Sequence, residues 1–267
     1  MCRLAVYKGI PAIISDIIMT PSHSVIDQSK HSTQREDPLN GDGFGIAWYK
    51  PELQSTPAIF KDITPAWNHK NLASLTRATK SPLFMAHIRD ASPAMPVTFT
   101  NTHPFSYEQF SCIHNGHVTD FKKIKRDIMR TLSDEVYEQV WGNTDSEHFF
   151  ALFLELYKNS STQDELDKIS QCMHDAIAKI SELFKKHKLS GEFMFNVVIS
   201  DGKRIVASRY HSKGVQGLNT LYYTQDSDSV LIASEPLDNN DSWIEVDEDS
   251  ILTIDTDNTV KNKTLSL

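Results

Sequence analysis

A cysteine stands directly after the initiator methionine, and cysteine is small enough for that methionine to be trimmed. Removal of Met1 exposes a thiol and an α-amine on one residue, Cys2. Their ordinary pKa values are ~8.5 and ~7.7–8.0, so near neutrality part of the amine is unprotonated and can accept the thiol proton. That combination is a nucleophile with its own general base. By position alone, Cys2 reads more simply as a cysteine in a first strand.

Three further segments carry reactive types in useful places. Arg89 closes an apolar run, in His87-Ile88-Arg89-Asp90-Ala91-Ser92. A guanidinium there can grip a carboxylate through two parallel hydrogen bonds, or make a surface ion pair. Asn115 and Gly116, in His114-Asn115-Gly116, set a side-chain amide beside a backbone N–H. Such a pair can hold an oxyanion, and it can equally form an Asn-Gly turn. Asp145, in Thr144-Asp145-Ser146-Glu147, can bind an ammonium group or cap a helix. His103, His114 and His117 are close in sequence, but their spacing fits no familiar ligand set. No metal and no cofactor is therefore expected.

These residues need strands and helix starts to hold them. Residues 3–7, 46–49, 83–88 and 110–114 read as strands from their apolar runs and flanking turn residues. Gly41, Gly43 and Gly45 crowd three glycines into five residues, which suggests backbone passing close to something. Helices are expected near 12–19 and over 72–79, 121–132 and 146–157, the last capped by Thr144 or Asp145. The clearest spans 165–186, where Leu166, Ile169, Met173, Ile177, Ile180 and Phe184 recur every three or four residues as one apolar stripe. Strands return at 193–200 and 204–208 around an Asp201-Gly202 hairpin, then at 221–223, 230–234, 243–246 and 251–254. Strands, then helices, then strands suit a layered α+β fold with antiparallel sheets. No linker divides the chain, so one domain over residues 1–267 is expected.

Composition narrows the function. A net charge of −8 with no basic run argues against nucleic acid as a partner. No apolar run approaches the ~20 residues of a membrane span, and the first residues have no apolar core of a secretory signal. Cys2, Cys112 and Cys172 are an odd set without a C-x-x-C pair, which favours a reducing cytoplasm over a disulfide framework.

Taken in order, Cys2, the Gly41–Gly45 segment, His87–Ser92, His114–Gly116 and Thr144–Glu147 resemble the pattern of the class II glutamine amidotransferases, which are N-terminal nucleophile hydrolases. Pro21-x-His23-Ser24, Gln28-Ser29, Thr64-Pro65-Ala66-Trp67, Asn101-x-His103-Pro104-Phe105 and Ala233-Ser234-Glu235-Pro236-Leu237 resemble its stand-alone branch. That branch includes the Dug-type glutathione-degrading component of fungi, the nearer likeness, and the γ-glutamyl amidohydrolase of ergothioneine synthesis.

The resemblance implies a four-layer αββα sandwich acting on a small-molecule γ-glutamyl substrate. It implies that Cys2 forms a thioester at the γ-carbonyl, with Asn115 and Gly116 holding the oxyanion. Arg89 would take the α-carboxylate and Asp145 the α-ammonium, with Ser92 beside them where the family usually has threonine. Asp90 departs from the pattern and sets a negative charge beside Arg89. The leaving group falls to other loops, residues 21–29 among them. Two alternatives stay open: a glutaminase subunit feeding ammonia to a separate synthase, and an inactive regulatory module. A peptidase-like or synthase partner protein is compatible with the resemblance.

Overall fold

The computed structural model describes residues 2–32, 39–91, 95–213 and 220–267. Its strands are β1 (Arg3–Ile13), β2 (Phe44–Trp48), β3 (Ala58–Asp62), β4 (Lys80–Ile88), β5 (Phe105–Tyr107), β6 (Phe110–Val118), β7 (Phe193–Ser200), β8 (Ile205–Arg209), β9 (Tyr222–Gln225), β10 (Ser229–Ala233), β11 (Ile244–Glu245), β12 (Ser250–Ile254) and β13 (Val260–Thr264). Its helices are α1 (Ile14–Ile18), α2 (Val25–His31), α3 (Lys70–Ala78), α4 (Phe121–Met129), α5 (Asp134–Tyr137), α6 (Asp145–Asn159) and α7 (Glu165–Lys186).

The strands form two antiparallel sheets. One runs β11-β9-β10-β1-β4-β2-β3 and the other β13-β12-β8-β7-β6-β5. Alternation along each strand assigns its two faces. In β1, Leu4 and Val6 meet Ile113, Val198 and Leu252 between the sheets, while Ala5 and Tyr7 turn outward onto α1–α3. On the second sheet Cys112, Phe195 and Val197 turn outward onto α4, α6 and α7. The order helix, sheet, sheet, helix is the expected four-layer αββα sandwich. Both faces of the central strands are covered, which is why β7 is buried at all eight positions.

Local chemistry explains most boundaries. The α7 stripe packs Ile169, Met173, Ile177, Ile180 and Phe184 into the core, and Asp164 caps its start by accepting from the Asp167 N–H at 2.9 Å. The Asp201-Gly202 turn joins β7 to β8 with Gly202 at φ +85°, which glycine adopts without strain. The first strand runs beyond residue 7 to Ile13, through Gly9 and Pro11. It does so by an irregularity between Lys8 and Ala12 that shifts its register against β4. The strand expected over 243–246 shrinks to Ile244–Glu245.

Candidate active site

Cys2 sits at the mouth of β1, the strand flanked by β4 and β10. Register Arg3↔Ile88 lays Cys2 beside the residues that follow β4. The Asp90 N–H donates to Cys2 Sγ at 3.3 Å, and the thiol lies 3.7 Å from the Asp90 carbonyl oxygen. Burial pushes the Cys2 thiol pKa up, while this Asp90 backbone contact pulls it down. Burial is the larger effect, so the thiol needs a base to become a nucleophile.

A buried polar clasp holds the start of β1. Arg3 meets Glu235 at 3.2 Å, with both side chains almost fully buried. Glu235 also accepts from Ser32 Oγ at 2.6 Å and pairs with His23 Nε2 at 2.8 Å. The Gln28 amide donates to the carbonyls of Glu235 and His23, and the Leu4 N–H donates to Ser234 Oγ. The segments 21–29 and 233–237, which stood out in the sequence, therefore fasten the nucleophile strand. None of residues 21–29 borders the cavity described below, which corrects their expected role at the leaving group.

The clasp makes stability depend on pH. The hydrogen bond to Glu235 raises the His23 pKa, against the smaller opposing effect of burial. A raised folded-state pKa means the protonated form is the one stabilised. Its contribution is complete below the unfolded value near 6.5 and is lost as pH rises through the folded value. The Tm deficit of His23→Gln relative to wild type should be larger at pH 5.5 than at pH 9. A deficit that grows with pH would refute this reading.

Arg89 is buried at the end of β4. Both terminal guanidinium nitrogens donate to the Pro96 carbonyl, at 3.2 and 3.3 Å, and among the described residues no carboxylate comes within ion-pair distance. The Gly43 carbonyl accepts from the Arg89 N–H at 2.8 Å, and Asp42 Oδ2 accepts from the Ala91 N–H at 2.8 Å. Gly43 sits at φ +107°, where an added Cβ would stand 2.8 Å from the Asp62 carbonyl oxygen. A Cβ on Gly45 would overlap the His103 carbonyl. At these two positions the glycine cluster does mark close backbone passage.

On β6, Asn115 shares the face of Ile113, toward the sheet that carries Cys2. It is 1% exposed, and among the described residues its Oδ1 has no hydrogen-bond partner. A Cβ on Gly116 would collide with the Met194 carbonyl, so the glycine is required sterically. His114 Nε2 donates to the Met194 carbonyl at 2.9 Å, so Nδ1 accepts from Ser146 Oγ at 2.8 Å. With both nitrogens engaged and its pKa lowered by burial, His114 is a neutral structural group rather than a metal ligand.

Asp145 opens α6. Its Oδ2 accepts from the Val118 N–H at 2.7 Å and its Oδ1 from the Ser146 N–H at 2.8 Å. These bonds fix the orientation of the carboxylate, while Thr144 supplies the cap by accepting from the Glu147 N–H.

Cys2, Arg89, Gly116 and Asp145 border one cavity of about 680 Å³, whereas Asn115, on the opposite face of β6, is not among the residues that border it. Ser92 lies outside the described residues. The cavity also takes in Asp90, expected beside Arg89, and residues that the sequence did not single out for it, among them Met95 and Lys122. His103 borders it as well, 4% exposed, its ring 4.2 Å from that of His87 and both its nitrogens without hydrogen-bond partners among the described residues. Burial holds His103 neutral. No helix among the described residues is long and apolar enough to cross a membrane.

Comparison with known proteins agrees with this geometry. A sequence profile of the class-II glutamine amidotransferases matches residues 20–221. The probable glutamine amidotransferase DUG3 of Saccharomyces cerevisiae is 35% identical over 292 residues, covering 95% of this chain and 82% of the yeast protein. The gamma-glutamyl-hercynylcysteine sulfoxide hydrolase of Mycolicibacterium smegmatis is 24% identical over 247 residues, covering 92% of each chain. Among solved structures, a glutamine aminotransferase class-II domain protein from Silicibacter pomeroyi superimposes with a TM-score of 0.74 at 25% identity, each chain covered in full. Its sequence and its fold thus place the chain among the class II glutamine amidotransferases, the family to which it belongs.

Proposed function

We propose that this protein hydrolyses γ-glutamyl amide bonds through a thioester on Cys2. The observation that carries the reading is the meeting of Cys2, Arg89, Gly116 and Asp145 on one cavity. Arg89 grips the α-carboxylate of the glutamyl unit and Asp145 its α-ammonium, which sets the γ-carbonyl against Sγ. The α-amine of Cys2 takes the thiol proton as sulfur attacks. The oxyanion rests on the Asn115 amide and the Gly116 N–H. As the intermediate collapses, the C–N bond breaks and the departing amine receives the proton. Water then attacks the thioester, releasing glutamate and restoring the thiol. The name of the Mycolicibacterium relative, a hydrolase of a γ-glutamyl compound, supports the substrate class. We place the chemistry in a reducing cytoplasm, where the free cysteines stay thiols.

The test is a screen of γ-glutamyl compounds against protein freed of Met1, with glutamate followed by mass spectrometry. Release from none of them would end the proposal. Release from glutamine alone, stimulated by a synthase that consumes the ammonia, would turn it into the glutaminase-subunit reading. Within the same assay Asn115→Ala should lower kcat by ~10²–10³, the usual loss for one oxyanion donor. A change confined to KM would make Asn115 a binding residue instead.

A further inference from the structure

The segment Asn101-x-His103-Pro104-Phe105 stood out in the sequence, and none of it acts in the mechanism above. Asn101 ends a short helical turn over Phe99–Asn101 and borders the cavity, yet it is only 1% exposed. Its amide is engaged at both ends. Nδ2 donates to the Pro96 carbonyl at 3.1 Å, and Oδ1 accepts from the Asn143 N–H at 2.9 Å. One partner accepts and the other donates, so an aspartate of the same shape satisfies only one of them.

Those two partners belong to the two arms of the proposed head-group clamp. The Pro96 carbonyl is the group that accepts from both terminal nitrogens of Arg89, at 3.2 and 3.3 Å. Asn143 lies two residues before Asp145, in the turn that opens α6. Glu147 fastens the same turn by accepting from the Trp141 and Gly142 N–H groups, at 2.9 and 2.7 Å. Gly142 packs so tightly on Asn101 that an added Cβ would stand 2.6 Å from Oδ1. Arg89 follows a strand of one sheet, whereas α6 packs on the other sheet. The Asn101 amide bridges the two. The tolerance is small, because the ammonium nitrogen and the carboxyl carbon of a substrate share one α-carbon and lie ~2.5 Å apart. Binding groups must hold their places to within ~0.5 Å.

We propose that Asn101 is a positioning residue. It sets the separation of Arg89 and Asp145 to that of an α-amino acid head group, and so makes recognition of that head group strict. This inference rests on the γ-glutamyl reading above.

The experiment measures kcat/KM for three p-nitroanilides, using the full chain freed of Met1. They are the γ-glutamyl compound, the glutaryl compound, which lacks the α-ammonium, and the 4-aminobutyryl compound, which lacks the α-carboxylate. Wild type should prefer the γ-glutamyl compound over each of the others by about tenfold or more, the scale of one hydrogen bond to a charged group. Asn101→Ala should shrink both preferences by about threefold or more, the lower end of coupling within one hydrogen-bond network, through a raised KM for the γ-glutamyl compound. Asn101→Asp keeps the bond to Asn143 and loses the one to Pro96. It should shrink chiefly the preference over the 4-aminobutyryl compound, which reports on the Arg89 arm. Only folded protein turns over, so these ratios do not depend on how much of a variant folds. Equal scaling of all three rates, no turnover by either variant, or unchanged ratios removes Asn101 from this role while the γ-glutamyl reading stands. Wild-type ratios near one remove the clamp and the role of Asn101 with it. If no γ-glutamyl amide is hydrolysed, both readings fall.

Discussion

Cys2→Ala should abolish glutamate release, with a loss of ~10⁴–10⁶ in kcat, the scale for removing a covalent nucleophile. The rest of the fold gives no substitute. Cys112 faces outward from β6 into the helical layer, fully buried, with its thiol pKa pushed far up by that burial. Cys172 lies on the buried stripe of α7, its thiol raised to about 11. Neither forms an appreciable thiolate near neutrality, so Cys112→Ala and Cys172→Ala should leave the thioester chemistry in place. A γ-glutamyl electrophile should add a single mass increment, located on Cys2 by peptide mapping. Protein that retains Met1 should behave like Cys2→Ala, since the amine is then a peptide nitrogen and cannot accept the thiol proton. An adduct on Cys112, or full activity with Met1 retained, would remove Cys2 from its role.

The second large effect is on stability. Glu235→Ala removes the acceptor that faces Arg3, His23 and Ser32 at once. The Arg3 side chain is only 3% exposed, so it loses its carboxylate without gaining water. Removing one partner of a buried ion pair typically costs ~3–5 kcal/mol. For a chain of this size that is a Tm drop of roughly ten degrees. Glu235→Gln should recover part of the loss, because it keeps the shape and some hydrogen bonds but not the charge. Activity should fall further than unfolding alone accounts for, since Arg3 adjoins Cys2. The measurement is urea unfolding of the three proteins at pH 7, and a difference below ~1 kcal/mol would show that the clasp contributes little.

Part of the cavity's lining could be read from residue types, because the side chains of Cys2, Arg89 and Asp145 and the missing one of Gly116 distinguish those positions. Cys2, Arg89, Gly116 and Asp145 all border the cavity, and the stripe on α7 was legible because burial imposes its period. What escaped has physical reasons. The grip on the Cys2 sulfur comes from the Asp90 backbone, and any residue has an N–H. Lys122 sits on the polar side of an amphipathic helix, where a lysine looks like ordinary solvated surface. Strand β13, Val-Lys-Asn-Lys-Thr, is an exposed edge, so no buried face imposes alternation on it. The first strand is legible only as far as Tyr7, and an irregular register carries its pairing past Gly9 and Pro11 to Ile13. Residues 21–29 drew attention correctly and were given the wrong task, since nothing local reveals that Glu235 lies against them.

The position of β1 sets an order of events during synthesis. Its neighbour β10 pairs Ala5 with Ala233, two stretches of chain made about 230 residues apart. At ~5–20 residues per second, roughly 10–45 s pass between the first strand leaving the ribosome and its partner following. Throughout that interval β1 cannot be closed in on both sides, and its end stays open, as the trimming of Met1 required by the proposed mechanism demands. The carboxylate that locks Arg3 is made two residues later still. Chain order thus leaves the start of β1 accessible before it is buried, and a destabilised β10 would prolong the exposure of an apolar first strand to aggregation.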